Sequence, residues 1–308
     1  MTDKIIVLAL GGNAISGNGR TIDSQYETIK NVMKEIACLL QGGCKIVVTY
    51  GNGPQVGDSL LRNEYARKVV PPLPLFACVA ETQGLLGSMI QTALFDFLGK
   101  ESKVASLITE VEVSAKDPAF NNPTKPIGPF IGKDKIYNIK KIQPLSTFKE
   151  ISGNYRRVVP SPEPVSILNL DAIKNLIKNN HVVIACGGGG IPVTSKKKID
   201  FVEAVIDKDL SSELLASGIG ASMYVNLTQE KGVYENFRAK NKKLLRKTRV
   251  EYISELLKEE GKFEEGSMGP KVKSCINFVT KTGKIAVIGS IKNPKKSVEL
   301  KSGTIIYK

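Results

Sequence analysis

Short apolar runs alternate with segments of helical periodicity along most of the chain. The runs that have the length of one buried strand are KIIVLAL from Lys4, CKIVVTY from Cys44, KVASLIT from Lys103, HVVIACG from His181, SMYVNLT from Ser222 and KIAVIGS from Lys284. Strands buried on both faces read as continuous apolar runs, whereas half-exposed strands alternate. The pattern therefore predicts a largely parallel sheet that helices cover on both faces.

The segments between these strands carry apolar residues at the spacing of one helical face. The clearest stripe lies within 21–40 and consists of Ile29, Val32, Met33, Ile36 and Leu40. Further helices are predicted over 55–67, 83–98, 172–178, 210–215, 252–258 and 271–279. Strands that alternate with helices predict an α/β fold with right-handed crossovers.

Prolines interrupt this alternation between residues 117 and 164, in DPAFNNPTKPIGPF and VVPSPEPV. The segment is predicted to be an insertion, either a flap or a small protruding subdomain. A disordered linker is the alternative. Phe120, Ile127, Phe130 and Ile131 favour an ordered structure, because they give the segment apolar side chains to pack.

The chain has 308 residues, 42% of them hydrophobic, and a formal net charge of +14. This charge would suit a nucleic-acid surface, a lysine-rich exterior or an anionic substrate. No RNA-recognition, zinc-finger or helix-turn-helix signature accompanies the lysines, so we expect neither a nucleic-acid nor a membrane partner. The sequence shows no membrane-spanning apolar stretch and no secretory leader, and it predicts a cytoplasmic protein.

One histidine, His181, and five cysteines without CxxC spacing limit the available chemistry. The cysteines are expected to be reduced thiols in or near the core. Ser-His-Asp triads, Cys-His pairs and histidine-rich zinc sites are disfavoured. Any catalysis must therefore depend on lysines, carboxylates and backbone amides.

Glycine-rich turns follow the predicted strands in LALGGNA, VVTYGNGPQVG and VIACGGGGIPV. Glycine allows a ligand to approach the backbone, and ligands gather at the carboxyl ends of parallel strands. Exposed amides in such turns bind anions. These loops therefore predict phosphate or nucleotide contacts, although GxxxxGK[ST] and GxGxxG are both absent.

Lysines stand at predicted helix starts, where a positive charge opposes the helix dipole. Lys208 lies between Asp207 and Asp209, Lys271 follows Pro270, and Lys125 lies between two prolines. A shared anionic ligand would offset the repulsion, and the two aspartates would hold Lys208 or face magnesium. Such groups suit phosphoryl transfer to a small anionic acceptor, which needs no general base.

The chain resembles the carbamate kinases of the amino acid kinase superfamily in motifs that run in order along nearly its whole length. They are LGGNA from Leu10, GNGPQVG from Gly51, NPTKPIGPF from Asn122, RRVVPSPEP from Arg156, CGGGGIPV from Cys186, EAVIDKDL from Glu203 and GSMGPK from Gly266. The resemblance implies a three-layer α/β sandwich around a mainly parallel, roughly eight-stranded sheet, with 117–164 as a protruding subdomain. It also implies a homodimer, with a carbamate-side lobe over 1–180 and a nucleotide-binding lobe over 181–308.

The reaction implied is reversible transfer between ATP and carbamate, giving ADP and carbamoyl phosphate, with Mg²⁺ held mainly by the phosphates and a role in arginine metabolism. By motif match, the carbamoyl phosphate site would comprise Gly11, Gly12, Asn13, Gly51, Asn52 and Gly53. Lys208 and Lys271 would stabilise the phosphoryl group, Asp209 would orient them, and Lys125 would reach in from the subdomain. The nucleotide would be bordered by Gly187, Gly188, Gly189, Gly190 and Asp207.

Two residues depart from the family pattern. Tyr50 stands where the family has histidine before GNGPQ, and Gln229 stands where many relatives have aspartate after NLT. Tyrosine is longer and does not titrate near neutrality, which raises the question whether it leaves room for the anion. The alternatives are a family member with another small acceptor, or a nucleotide-binding regulator without turnover.

Overall fold

The computed structural model of the chain describes residues 4–17, 21–142, 146–151, 153–195, 198–235, 242–259 and 268–308. Gly266, where the last family motif begins, lies outside these ranges. None of the helices in the described ranges has the length and apolar character that crossing a membrane requires.

The strands in these ranges are β1 (Ile5–Leu10), β2 (Lys45–Tyr50), β3 (Val104–Ser106), β4 (Glu110–Val113), β5 (Lys125–Ile131), β6 (Thr147–Ile151), β7 (Asn154–Val159), β8 (Pro164–Ile167), β9 (Val182–Ile184), β10 (Ile191–Thr194), β11 (Asp200–Phe201), β12 (Met223–Thr228), β13 (Tyr234–Glu235), β14 (Lys243–Leu244), β15 (Lys247–Arg249), β16 (Ile285–Ser290) and β17 (Thr304–Tyr307). The helices are α1 (Gly12–Ile15), α2 (Ile22–Gln41), α3 (Gly53–Ala66), α4 (Leu75–Leu98), α5 (Lys133–Ile142), α6 (Leu170–Lys178), α7 (Lys208–Gly218), α8 (Val250–Lys258), α9 (Met268–Thr282) and α10 (Pro294–Val298), with short 3₁₀ turns at Pro118–Phe120 and Gly187–Gly189.

The central sheet has eight strands in the order β15-β17-β16-β12-β1-β2-β9-β3. The pairs are parallel except for β16 with β17. This confirms the predicted α/β class and the mainly parallel, eight-stranded sheet. The strands of residues 181–308 are contiguous in this order except for β9, which lies between β2 and β3. The division of the chain into two lobes stays a prediction.

Side chains on successive residues of β1 enter opposite cores, as the two-residue strand repeat requires. Ile6, Leu8 and Leu10 pack with apolar side chains of α2, α4 and α10. Val7 and Ala9 pack on the other face with side chains of α6, α7, α8 and α9. The sheet is therefore covered on both faces, which explains why its strands read as continuous apolar runs.

All six strands predicted from the apolar runs are present, and the predicted helices differ from the observed ones mainly at their ends. The largest difference is α4, which begins at Leu75 rather than at residue 83. Prolines at 71, 72 and 74 make the sequence before residue 83 read as a loop. Pro74 is in fact the residue that directly precedes the helix. The prediction lacked α5, α10 and the smaller sheets, because these elements are short and depend on tertiary contacts.

In their described parts, which exclude 143–145 and 152, residues 117–164 form regular strands and a helix, and their assignment as a protruding subdomain stays a prediction. The subdomain contains α5 and a three-stranded antiparallel sheet in the order β5-β7-β6. It crosses α3 at close range, since a Cβ on Gly57 would lie 1.9 Å from the Cα atom of Gly128. Arg157 of β7 also forms an ion pair with the buried Glu64 of α3. These contacts fix the base of the subdomain beside the ends of β1 and β2.

Candidate active site

The loops after β1 and β2 touch each other at the carboxyl edge of the sheet. Leu10 is in register with Tyr50, so both strands end at the same level. A Cβ on Gly51 would lie 2.9 Å from the backbone nitrogen of Gly12, and one on Gly12 would lie 3.0 Å from the carbonyl carbon of Gly51. Glycine is required at both positions because the two backbones meet there, and this contact forms one wall of a cleft.

The cleft is lined by Gly12, Asn13, Gly51, Asn52, Gly53, Pro54, Lys125, Pro126, Ile127, Arg156, Gly188, Val205, Ile206, Asp207, Lys208, Asp209 and Lys271. The structure thus brings together most of the residues that the sequence assigned to the site. Gly11 lies behind the lining, where its N–H donates to the carbonyl of Leu227 at 3.0 Å. Gly12 and Asn13 begin α1, and first-turn amides have no acceptor within their own helix.

The four glycines at 187–190 are buried. A Cβ at each would collide with another part of the protein: with Oη of Tyr50 at 2.3 Å for Gly187, Nδ2 of Asn52 at 2.2 Å for Gly188, the carbonyl of Ile206 at 2.3 Å for Gly189 and Cγ2 of Val111 at 2.3 Å for Gly190. The expected close approach to this backbone is therefore made by the chain itself. Of the four, Gly188 is the one that lines the cleft.

Tyr50 lies outside the cleft lining. Its side chain is 1% exposed and its hydroxyl donates to the carbonyl of Gln83 in α4 at 2.5 Å. Gly187 and Gly87 supply the space for the ring tip. Burial raises the pKa of Tyr50 well above its ordinary value. The ring therefore points into the sandwich and leaves the anion loops clear.

A single carboxylate, Asp209, holds two lysines at the back of the cleft. Its Oδ1 atom lies 2.5 Å from Nζ of Lys208, and its Oδ2 atom accepts from Nζ of Lys271 at 3.0 Å. Lys208 is the first residue of α7 and Lys271 lies in the first turn of α9. Two helix starts thus direct both their positive ends and their lysines at one point, which suits an anion.

Burial and the ion pairs act in opposite directions on the pKa values of this group. Burial lowers the pKa of Lys208 to about 8 against the attraction of Asp209, and the positive charge of Lys271 adds to the lowering. Burial would raise the pKa of Asp209, but its ion pairs with Lys208 and Lys271 hold that pKa far below its ordinary value. The centre therefore carries a surplus positive charge near neutral pH, and a bound phosphoryl group would offset it.

Lys125 joins the site from the subdomain. Its ammonium forms an ion pair with Oδ2 of Asp207, the residue that caps α7 by accepting the N–H of Asp209 at 2.8 Å. Burial lowers the pKa of Lys125, but the attraction of Asp207 more than offsets this and raises it overall. Asp207 thus links the subdomain to the helix that carries Lys208.

Sequence reasoning missed two polar residues of this site. Arg156 of β7 lines the cleft and donates to the carbonyl of Gly128 at 2.8 Å. Asn226 of β12 lies beneath the cleft and hydrogen-bonds both Lys208 and Asp209. Arg156 stands within a quoted motif, whereas a polar residue inside the apolar run SMYVNLT was the available signal for Asn226.

No group of three or more histidine, cysteine, aspartate or glutamate side chains suited to a metal occurs among the described residues. The carboxylates of Asp207 and Asp209 are held by lysines. Gln229, where many relatives were expected to have a carboxylate, donates to the carbonyl of Asn13 at 3.3 Å.

A profile of the amino acid kinase family matches residues 4–290. The carbamate kinase of Lentilactobacillus hilgardii is 42% identical over 98% of this chain and 97% of its own length. The chain belongs to the carbamate kinases of the amino acid kinase family. The structure of the Giardia lamblia carbamate kinase bound to AMP-PNP has a TM-score of 0.89 and 37% identity over 99% of this chain and 98% of that one. The same Giardia enzyme bound to citric acid gives a TM-score of 0.92 and 38% identity, with the same coverage.

Proposed function

We propose that this chain catalyses reversible phosphoryl transfer between ATP and carbamate, giving ADP and carbamoyl phosphate. The observation that carries the proposal is the pair of lysines on Asp209, which face two anion loops at the end of a parallel sheet. In the forward direction the bond from the γ-phosphorus to its bridging oxygen breaks, and a bond to a carbamate oxygen forms. That oxygen is already anionic, so no general base is needed to remove a proton.

Each group around the cleft has a distinct part in this proposal. The loops at Gly12–Asn13 and Gly51–Gly53 would bind carbamoyl phosphate. Lys208 and Lys271 would stabilise the charge on the equatorial oxygens during transfer, and Asp209 would orient them. Lys125 would bind the acceptor side, and Arg156 adds a second cation there. Gly188 and Asp207 would border the phosphates of the nucleotide.

The direct test is to incubate the full chain with ADP, Mg²⁺ and carbamoyl phosphate. We expect ATP formation, detected in a coupled assay, that disappears in Lys208→Ala prepared in parallel, which excludes a contaminating kinase. Replacing carbamoyl phosphate by acetylglutamyl phosphate should give no ATP. Absence of ATP from well-folded protein would overturn the proposal and favour a regulator that binds nucleotide without turnover.

A homodimer is a further part of the proposal. Exposed apolar side chains such as Leu85 of α4 and Ile108 lie beside the edge strand β3. Light scattering on the purified chain should give twice the mass of one chain, and Leu85→Lys should lower it if this face forms the contact. A cytoplasmic location and a role in arginine metabolism stay predictions.

A further inference from the structure

We propose that Asn226, which lies in β12 beneath the cleft, is a positioning residue. It fixes the directions of the Lys208 ammonium and the Asp209 carboxylate. The inference rests on the proposed phosphoryl transfer, because Lys208 and Asp209 act in that reaction.

Asn226 uses both ends of its amide within the charged group. Its Nδ2 atom donates to Oδ1 of Asp209 at 2.7 Å and to the hydroxyl of Tyr224 at 3.1 Å. Its Oδ1 atom accepts from Nζ of Lys208 at 3.3 Å. The carboxylate and the ammonium together fix which end of the amide is which, since a carboxylate accepts and an ammonium donates.

The position of Asn226 is costly for an amide. Asn226 is fully buried in β12, one of the central strands, and its neighbours in sequence, Val225 and Leu227, are buried apolar residues. Asparagine is unfavourable in strands, and a buried amide must find hydrogen bonds or lose stability. An apolar side chain would fill this place in the sheet more readily. The contacts to Lys208 and Asp209 explain why an amide is there.

The amide restrains both charged groups. The Oδ1 atom of Asp209 receives Lys208 and Asn226, while its Oδ2 atom receives Lys271. The donor from Asn226 opposes rotation of the carboxylate, so the two lysines stay on separate oxygens. The acceptor on Asn226 gives the Lys208 ammonium a second partner beside Asp209.

Two substitutions at this position should have opposite effects on the alkaline limit of activity. Asn226→Leu removes the acceptor from Lys208, so its ammonium is less stable and the limit moves to lower pH. Asn226→Asp places a second carboxylate there, so the ammonium is more stable and the limit moves to higher pH. We expect kcat to fall about 10- to 100-fold in Asn226→Leu, by analogy with the loss of groups that orient the ligands of a metal ion, with KM for ADP within twofold.

Thr49→Val is the matched control. The Thr49 hydroxyl is buried in the adjoining part of the sheet and contacts the Ser212 hydroxyl of α7 at 2.6 Å, and Ser212 also donates to the backbone carbonyl of Lys208 at 2.6 Å. This variant should lose a similar buried hydrogen bond and keep kcat within twofold with an unchanged alkaline limit. An equal loss in Thr49→Val, or limits that move in the same direction in both Asn226 variants, would overturn the inference.

A second measurement does not require turnover. The rate of acetylation of Lys208 by acetic anhydride, followed by peptide mass spectrometry, gives the protonation of its amine in each variant. We expect the labelling midpoint to fall in Asn226→Leu and rise in Asn226→Asp, relative to the unaltered chain. If the chain made no ATP, these midpoints would still decide the role of Asn226, and unchanged midpoints would contradict it.

Discussion

The Nζ atom of Lys271 lies 3.0 Å from Oδ2 of Asp209, although 62 residues separate them in the sequence. Among the described residues, the one carboxylate of Asp209 pairs with both Lys208 and Lys271, so this group of three carries a surplus positive charge. This surplus positive charge suits the transition state of phosphoryl transfer, in which negative charge develops on the transferred group.

Lys271→Ala should lower kcat about 10²- to 10³-fold and raise KM much less, because the lysine acts chiefly on charge that develops during transfer. Steady-state kinetics with ADP and carbamoyl phosphate measure both constants. Lys273→Ala is the control on the same helix, since its ion pair with Glu163 is on the surface and should be worth little. A kcat that survives in Lys271→Ala would refute the role given to Lys271.

The pH profile of the unaltered chain should show an alkaline limit near pH 8. Lys208 must be protonated to act, and its pKa of about 8 means that kcat/KM falls as pH rises through that value. Lys271 contributes to lowering this pKa, so residual activity in Lys271→Ala should persist to higher pH. Rates are corrected with enzyme-free samples at each pH, and a flat profile up to pH 9.5 would contradict this prediction.

Lys125→Ala should weaken the handling of carbamoyl phosphate while ADP binding stays intact. The lysine lines the cleft from β5 and contacts Asp207 there, and our proposal assigns it to the acceptor side. We expect KM for carbamoyl phosphate to rise about tenfold or more, equivalent to one lost charged hydrogen bond. Calorimetric titration with ADP checks the second half of the prediction. Lys133→Ala, an exposed lysine of the same subdomain, should change neither value.

Gly51→Ala should separate the two anion loops. The new Cβ would lie 2.9 Å from the backbone nitrogen of Gly12, and backbone cannot move aside as a flexible side chain can. We expect kcat at least about tenfold lower and a stability loss of about 1–3 kcal/mol, as for other overpacked sites. Kinetics and urea unfolding measure the two effects. In the control Gly84→Ala, the Cβ meets Cδ1 of Ile108 at an ordinary 3.9 Å, and activity should be retained.

Tyr50→Phe should reduce stability and leave activity unchanged. The hydroxyl is buried against the carbonyl of Gln83, and its loss should cost about 1–3 kcal/mol. The ring lies outside the cleft lining, so kcat and KM should stay within twofold. Thermal unfolding together with the ATP-forming assay tests both statements. A large loss of kcat in a stable variant would show that Tyr50 takes part in catalysis.

Pattern in the sequence determined the sheet strands, most helices and the groups that carry charge. Buried strands need continuous apolar runs, and an anion site at strand ends needs glycine and cations, so both leave a local signal. Lys125, Lys208 and Lys271 could therefore be named before their positions were known.

Tertiary structure alone decided which atoms meet. The backbone of the glycines at 187–190 packs against Tyr50, Asn52, Ile206 and Val111. The N–H of Gly11 donates to the carbonyl of Leu227. Neither contact leaves a local signal, because each partner comes from a distant part of the chain. The same holds for Asn226, which can hydrogen-bond Lys208 and Asp209 only because β12 lies beneath the start of α7. Sequence thus supplied the chemical groups, and long-range packing decided which of them face the cleft.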